Sequence, residues 1–269
     1  MGVKRSYLCF LLYVFLLCLT GCRQDKKQGI TENVQVFRVG SNIYPPFAYF
    51  DDNGDAAGIG IDIAREAFGR LGYEIEFVEI SWEDKKKLLE SGAIDCICGC
   101  FSMDGRENDY RWTTPYMISK QVVAVNNKSD IKTLNDLSDK SIAVQVASTS
   151  EEILLQEERP YIPSDTQIIS MENYAVQHAS VDCGYVDALA SDEGATIQYI
   201  KDYKADFRIL EESLGITKVA FGFSKYDDSK IPDKVSHVLE EMKVDGSIER
   251  ILSLYVEDVS QYLEIEDFE

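Results

Sequence analysis

Basic residues are scarce in this chain: 27 lysines and arginines stand against 47 aspartates and glutamates, for a formal net charge of −20. A surface of that sign repels nucleic acid and anionic lipid headgroups, which argues against partners bound through phosphate contacts. Histidine is scarcer still. Only His178 and His237 occur, and neither is placed to complete a metal site. Long apolar runs are missing too. The stretch from Tyr7 to Leu19 is too short to span a bilayer comfortably, and Lys4 and Arg5 precede it. Basic flank, short apolar run and the small residues before Cys22 describe a secretory signal over residues 1–21. No other segment of the sequence is long and apolar enough to cross a membrane.

The run Leu19-Thr20-Gly21-Cys22 resembles the lipobox of bacterial lipoproteins, in which the cysteine thiol receives a diacylglycerol. The resemblance implies lipidation at Cys22 and an extracytoplasmic domain anchored to the membrane by lipid alone. Residues 23–33 are polar and lack apolar periodicity, so residues 22–33 read as the lipidated cysteine and a flexible tether. Loss of Lys4 and Arg5 with the signal deepens the charge to −22, since residues 1–21 contain no acid.

Of seven cysteines, Cys9 and Cys18 leave with the signal, and Cys96, Cys98, Cys100 and Cys183 remain in addition to Cys22. Alternation puts Cys96, Cys98 and Cys100 on one face of a strand. Zinc sites space their ligands differently and add a second pair, so buried apolar thiols are expected, with no metal and no cofactor. The compartment permits a disulfide to Cys183. Asp51, Asn53, Asp55 and Asp62 stand at calcium-loop spacing. Ala56, however, occupies the obligatory glycine position and the last ligand is Asp, so a polar hairpin is expected.

Along the chain, strands alternate with helices, which indicates an α/β fold with a largely parallel sheet. The pattern predicts strands over 34–39, 74–80, 94–99, 141–146, 185–190 and 219–223. Helices are expected from Asp62 to Leu71, with Asp62 as N-cap, and over 83–91, 149–156, 174–181, 234–244 and 247–255. Two units of this kind, with ligands expected at strand C-terminal ends, suggest a cleft between lobes.

The ordered runs Gly40-Ser41-Asn42-Ile43-Tyr44-Pro45-Pro46-Phe47, Gly58-Ile59-Gly60-Ile61-Asp62, Trp82, Gly92-Ala93-Ile94-Asp95, Arg106 and Thr114-Pro115-Tyr116 resemble family 3 extracellular solute-binding proteins of amino-acid ABC importers. Gln145-Val146-Ala147-Ser148-Thr149, Asp187 to Asp192, Phe221-Gly222-Phe223 and Asp245-Gly246-Ser247 extend the likeness over nearly the whole mature chain. It implies a two-lobed, type II periplasmic-binding-protein-like fold with two crossing strands near 119–123 and 217–220. Lobe 1 would comprise residues 34–120 and 218–269, and lobe 2 residues 121–217. A monomer that delivers an amino acid to ABC permease subunits is the implied function.

A free amino acid presents a carboxylate and an ammonium at fixed separation. Arg106 is a bidentate carboxylate grip that lysine cannot imitate, and the resemblance assigns it the α-carboxylate. Asp192 matches the acid for the α-ammonium, or simply caps a helix over Glu193–Ile200. Cys100 and Ser102 match a segment that adds hydrogen bonds. Ser148 and Thr149 match a helix start whose N–H groups favour an anion, or serve as N-caps alone. Tyr44 and Trp82 match aromatic faces over the ligand, or belong to the core. The segment between Cys100 and Arg106 is one residue shorter than usual in the family. Ala147 stands where glycine is common, a restriction if the loop needs positive φ. Ser41, where basic-amino-acid binders often carry an acid, disfavours lysine and arginine as ligands. Two other readings remain: a sensory domain for a separate signalling protein, and a dehydratase-like enzyme, which would need a tuned acid or base.

Overall fold

Two five-stranded sheets carry the fold of the computed structural model, which describes residues 35–156 and 162–263. The predicted signal, Cys22 and the tether lie outside the described residues. In the first sheet, β1 (Gln35–Ser41) pairs in parallel with β4 (Tyr73–Glu79) and β5 (Cys96–Ile97). Strand β12 (Gly222–Ser224) runs antiparallel between β5 and β6 (Tyr110–Trp112). A small hairpin joins β2 (Tyr49–Phe50) to β3 (Ala56–Ala57). The Asp51 carboxylate closes its turn by accepting from Asn53 N and Asp55 N, both at 2.9 Å.

The second sheet runs in the order β11 (Phe207–Val219), β7 (Met117–Asn126), β10 (Ala188–Asp192), β8 (Ser141–Gln145), β9 (Gln167–Met171). The chain passes between the sheets from β6 to β7 and again from β11 to β12. At that passage β7 and β11 pair antiparallel, Met117 opposite Val219 and Ser119 opposite Thr217. Tyr116 N then donates to Val219 O, and Ala220 N to Phe101 O. Hinges between lobes are made by a few residues at element ends such as these.

The helices are α1 (Ile59–Arg70), α2 (Lys85–Glu90), α3 (Thr149–Leu155), α4 (Tyr174–Asp182), α5 (Glu193–Tyr203), α6 (Ile231–Val244), α7 (Ser247–Leu252) and α8 (Ser260–Leu263). Helix α1 buries Ile59, Ile63, Ala64, Ala67 and Phe68 in the main core, where Phe68 stacks on Phe37 with centroids 4.6 Å apart. Burial of each large apolar side chain contributes roughly 1.5–3 kcal/mol. A Cβ on Gly60 would sit 2.6 Å from Gly99 Cα. Glycine there lets α1 press against the loop that presents Cys100.

Several predicted elements shift for local reasons. Helix α1 starts at Ile59, not Asp62, because Ile59 N and Gly60 N bond the Pro46 and Phe47 carbonyls; the loop replaces a side-chain cap. Asp62 sits in the first turn, where a carboxylate favours the helix dipole. The strand expected over 94–99 shrinks to Cys96–Ile97, ended by Gly99 at φ 90°. The expected strand 219–223 is split, since Phe221 N turns aside to Thr113 Oγ1. Tyr185 and Val186 bond the Ser180 carbonyl and finish α4, so β10 begins only at Ala188. Cys96 and Cys98 are buried, but Cys100 is half-buried and Cys183 exposed, and all four are free thiols. Among the described residues no helix is long and apolar enough to cross a membrane.

Candidate ligand-binding site

The segments that follow β1, β5, β8 and β10 meet between the sheets and enclose a cavity of about 40 Å³. That is room for a few waters. Of the residues picked out in the sequence, Tyr44, Trp82, Cys100, Ser148, Thr149 and Asp192 line it. Asn42, Gln121, Gln145, Ser150, Gln177 and Ser191 complete the polar wall and were missed. A glutamine inside a strand or helix carries no local signal for a pocket. An outer cavity of about 540 Å³ shares Asn42, Trp82 and Gln145 with the inner one.

Asp192 ends β10 and is 2% exposed. Its Oδ1 accepts from Ala195 N at 3.1 Å, capping α5, so the capping role and a place on the cavity wall coincide in one side chain. Its Oδ2 accepts from Ser119 Oγ and from the Cys100 thiol at 3.7 Å. Burial pushes the carboxyl up to about 6, against the pull of the Ser119 and Ala195 hydrogen bonds. Tyr44, reaching over from the first sheet, holds Ser191 Oγ at 2.9 Å and accepts from Asp192 N at 3.2 Å. Its ring packs edge-on against Tyr174.

Arg106 lies in the loop after β5, 5% exposed. Nε and Nη2 converge on Glu152 Oε1 at 2.9 and 2.7 Å. Nη1 donates to Thr149 Oγ1 at 3.1 Å and to the Ser102 carbonyl at 3.2 Å. The guanidinium also lies over Phe101, 5.6 Å from the ring centre. Arg106 is therefore beside the cavity through Thr149, held by a carboxylate from α3, and is not itself on the wall. Ser102 is not on the wall either, and its buried Oγ has no partner.

Lys85 is a further residue that sequence reading missed, because Lys85-Lys86-Lys87 looks like a solvated helix face. It is 5% exposed, and its Nζ donates to Trp82 O at 3.1 Å and to Ala147 O at 2.9 Å. Burial, helped by the charge of Arg106, pushes its ammonium down to about 7. Ala147, which receives both Lys85 and Arg106, has φ 56°. The positive φ that glycine would supply is thus required here. Glu151 fixes the loop by accepting from Ala147 N at 2.6 Å.

Polar loops gathered between two α/β sheets, around a buried acid and a buried arginine, define a solute-binding protein. The family model for bacterial extracellular solute-binding proteins, family 3, matches residues 37–258, and the chain belongs to that family. The L-cystine-binding protein TcyA of Bacillus subtilis is 24% identical over 276 residues, covering 96% of this chain and 100% of the relative. An ancestral arginine-binding protein bound to arginine superposes with a TM-score of 0.75 at 27% identity, covering 82% of this chain and 98% of the other. The ancestral amino-acid-binding protein AncCDT-1, a precursor of cyclohexadienyl dehydratase, gives 0.73 at 27% identity, covering 82% and 96%. The architecture is the type II periplasmic-binding-protein fold, its two sheets forming two lobes.

Proposed function

We propose that this protein captures an amino acid or similar small zwitterion outside the cytoplasm and presents it to the permease of an ABC importer. The observation that carries the reading is the pair of buried opposite charges at the cavity. Arg106 comes from a loop of the first sheet and Asp192 from a strand end of the second. Arg106 already holds a carboxylate, that of Glu152, so its geometry suits the α-carboxylate of a ligand. Asp192, with Ser119 and Cys100 around it, suits the α-ammonium. A ligand that bridges the two biases the hinge toward closure, because its carboxylate and ammonium contact groups from both sheets at once. The hinge divides lobe 1 (residues 34–120 and 218–269) from lobe 2 (121–217). A signal over residues 1–21 and a lipid on Cys22 place the domain at the membrane as a tethered monomer.

Binding without turnover is the reading the wall supports. Asp192 is the titratable carboxyl there, and the ligand ammonium would occupy it. His178 is fully buried, lies off the cavity, and is pushed by burial down to about 4. A thermal-shift screen of residues 23–269 against the standard amino acids tests the proposal, repeated with Arg106→Ala and Asp192→Ala. A ligand at 100 times its dissociation constant adds about 2.7 kcal/mol. A shift lost in both variants supports the site. A shift kept in both would move the ligand elsewhere, and conversion of the ligand seen by mass spectrometry would make the protein an enzyme.

A further inference from the structure

Two glutamines on the cavity wall carry polar atoms with no partner among the described residues. Gln177 is 1% exposed. Its Nε2 donates to the Ala143 carbonyl at 3.1 Å and the Ala190 carbonyl at 2.6 Å. Two carbonyls can only accept, so the amide orientation is fixed and Oε1 is the end left over, buried and unbonded. Gln145, at the end of β8 and 5% exposed, has a buried Nε2 without a partner. The third glutamine, Gln121, is satisfied by Ser119 at 3.1 Å and Ser150 at 2.7 Å. An unpartnered buried polar group is costly, so one free acceptor and one free donor on the same wall suit a ligand group that offers both.

Charge narrows the choice. Among the described residues, Asp192 is the one charged side chain on the inner wall, and Arg106 stands beside it. The α-ammonium and α-carboxylate use both. A third charge, on the ligand's side chain, would meet no counter-ion on the inner wall; Lys85, which reaches the wall residue Trp82, already donates to the Trp82 and Ala147 carbonyls.

On the reading of the site given above, we infer that the ligand is an amino acid with a side-chain carboxamide, its N–H group donating to Gln177 Oε1 and its carbonyl accepting from Gln145 Nε2. Glutamine and asparagine are the members of that class among the standard amino acids. The competing class is cationic, because Glu79, Glu172 and Asp202 rim the outer cavity, which meets the inner one at Gln145.

Calorimetric titration of the ligand-stripped protein with L-glutamine, L-asparagine, L-glutamate, L-arginine, L-lysine and L-leucine decides between them. A carboxamide ligand is expected to bind at least tenfold more tightly than the other four. Gln145→Leu, which breaks no bond within the protein, should weaken it about tenfold and bring leucine closer to it. Gln177→Leu also frees two carbonyls and is read only if its melting point stays near that of the wild type. Tighter binding of arginine, lysine, glutamate or leucine, lost in Arg106→Ala, overturns the carboxamide assignment and leaves the amino-acid reading standing. Absence of binding by all six overturns the carboxamide assignment, and absence of a shift with every standard amino acid in the thermal screen overturns the amino-acid reading as well.

Discussion

Glu152 occupies Arg106. Its Oε1 lies 2.7 Å from Nη2 and 2.9 Å from Nε, and the pair ties a loop of the first sheet to helix α3 of the second. A carboxylate of the protein thus sits on the group proposed to grip the carboxylate of the ligand. The Arg106 side chain is 6% exposed and that of Glu152 45%, so Glu152 can return to water when displaced. The ligand must nevertheless compete with it.

Glu152→Ala should therefore tighten ligand binding. Solvent screening at the exposed partner limits the gain to about 1 kcal/mol, roughly fivefold in the dissociation constant. Titration calorimetry of the two proteins with the same ligand measures it directly. Equal or weaker binding in the variant would mean that Glu152 assists capture.

Tyr44 closes a second bridge between the sheets, through Ser191 Oγ and Asp192 N. Tyr44→Phe keeps the ring and its edge contact with Tyr174 but deletes both hydrogen bonds. Each net hydrogen bond is worth about 1 kcal/mol, so losing the two should lower the population of the closed state by up to about thirtyfold. Small-angle scattering of the unliganded protein should show a larger radius of gyration, with weaker ligand binding in parallel. An unchanged radius would mean that the Tyr44 hydroxyl does not contribute to closure.

The alternation of strands and helices, and the ordered family motifs, were legible because periodicity and turn residues are local properties. Element ends were less legible: α1 begins early because the Pro46 and Phe47 carbonyls, in a different segment, satisfy its first N–H groups. Asp192 and Tyr44 could be picked out because motif context marks them. Gln145, Gln177 and Lys85 could not, since only the tertiary fold brings α2, α4 and β8 to one place. Glu152 was hidden for a different reason. A glutamate in the first turn of a helix already has a local explanation in the helix dipole, and nothing in the chain points from it to Arg106.

Ala147 should tolerate, and gain from, replacement by glycine. Its φ of 56° costs an L-residue with a Cβ about 1 kcal/mol relative to glycine, net of the extra flexibility glycine has in the unfolded chain. Ala147→Gly should raise the melting point by about 2–4 °C on the scale of a domain this size, and differential scanning calorimetry would record it. A lower melting point would mean that the methyl group's packing beside Trp82 outweighs the backbone strain.

Asp192 should give stability and binding opposite responses to pH. In the folded protein its carboxyl titrates near 6, raised by burial from an ordinary value of 3.8. Between those values the folded state holds a proton that the unfolded chain has released. Its contribution to stability is thus complete below about pH 4 and is lost as pH rises through 6, by on the order of 3 kcal/mol. Asp192→Asn should flatten that part of a urea-denaturation series run from pH 4 to pH 7. An ammonium ligand requires the carboxylate, so affinity should be constant above pH 6 and fall toward tenfold per unit below it. The two curves crossing in this way tie the same buried group to both processes. If affinity held steady down to pH 5 in the wild type, the ammonium would have to be bound by something other than Asp192.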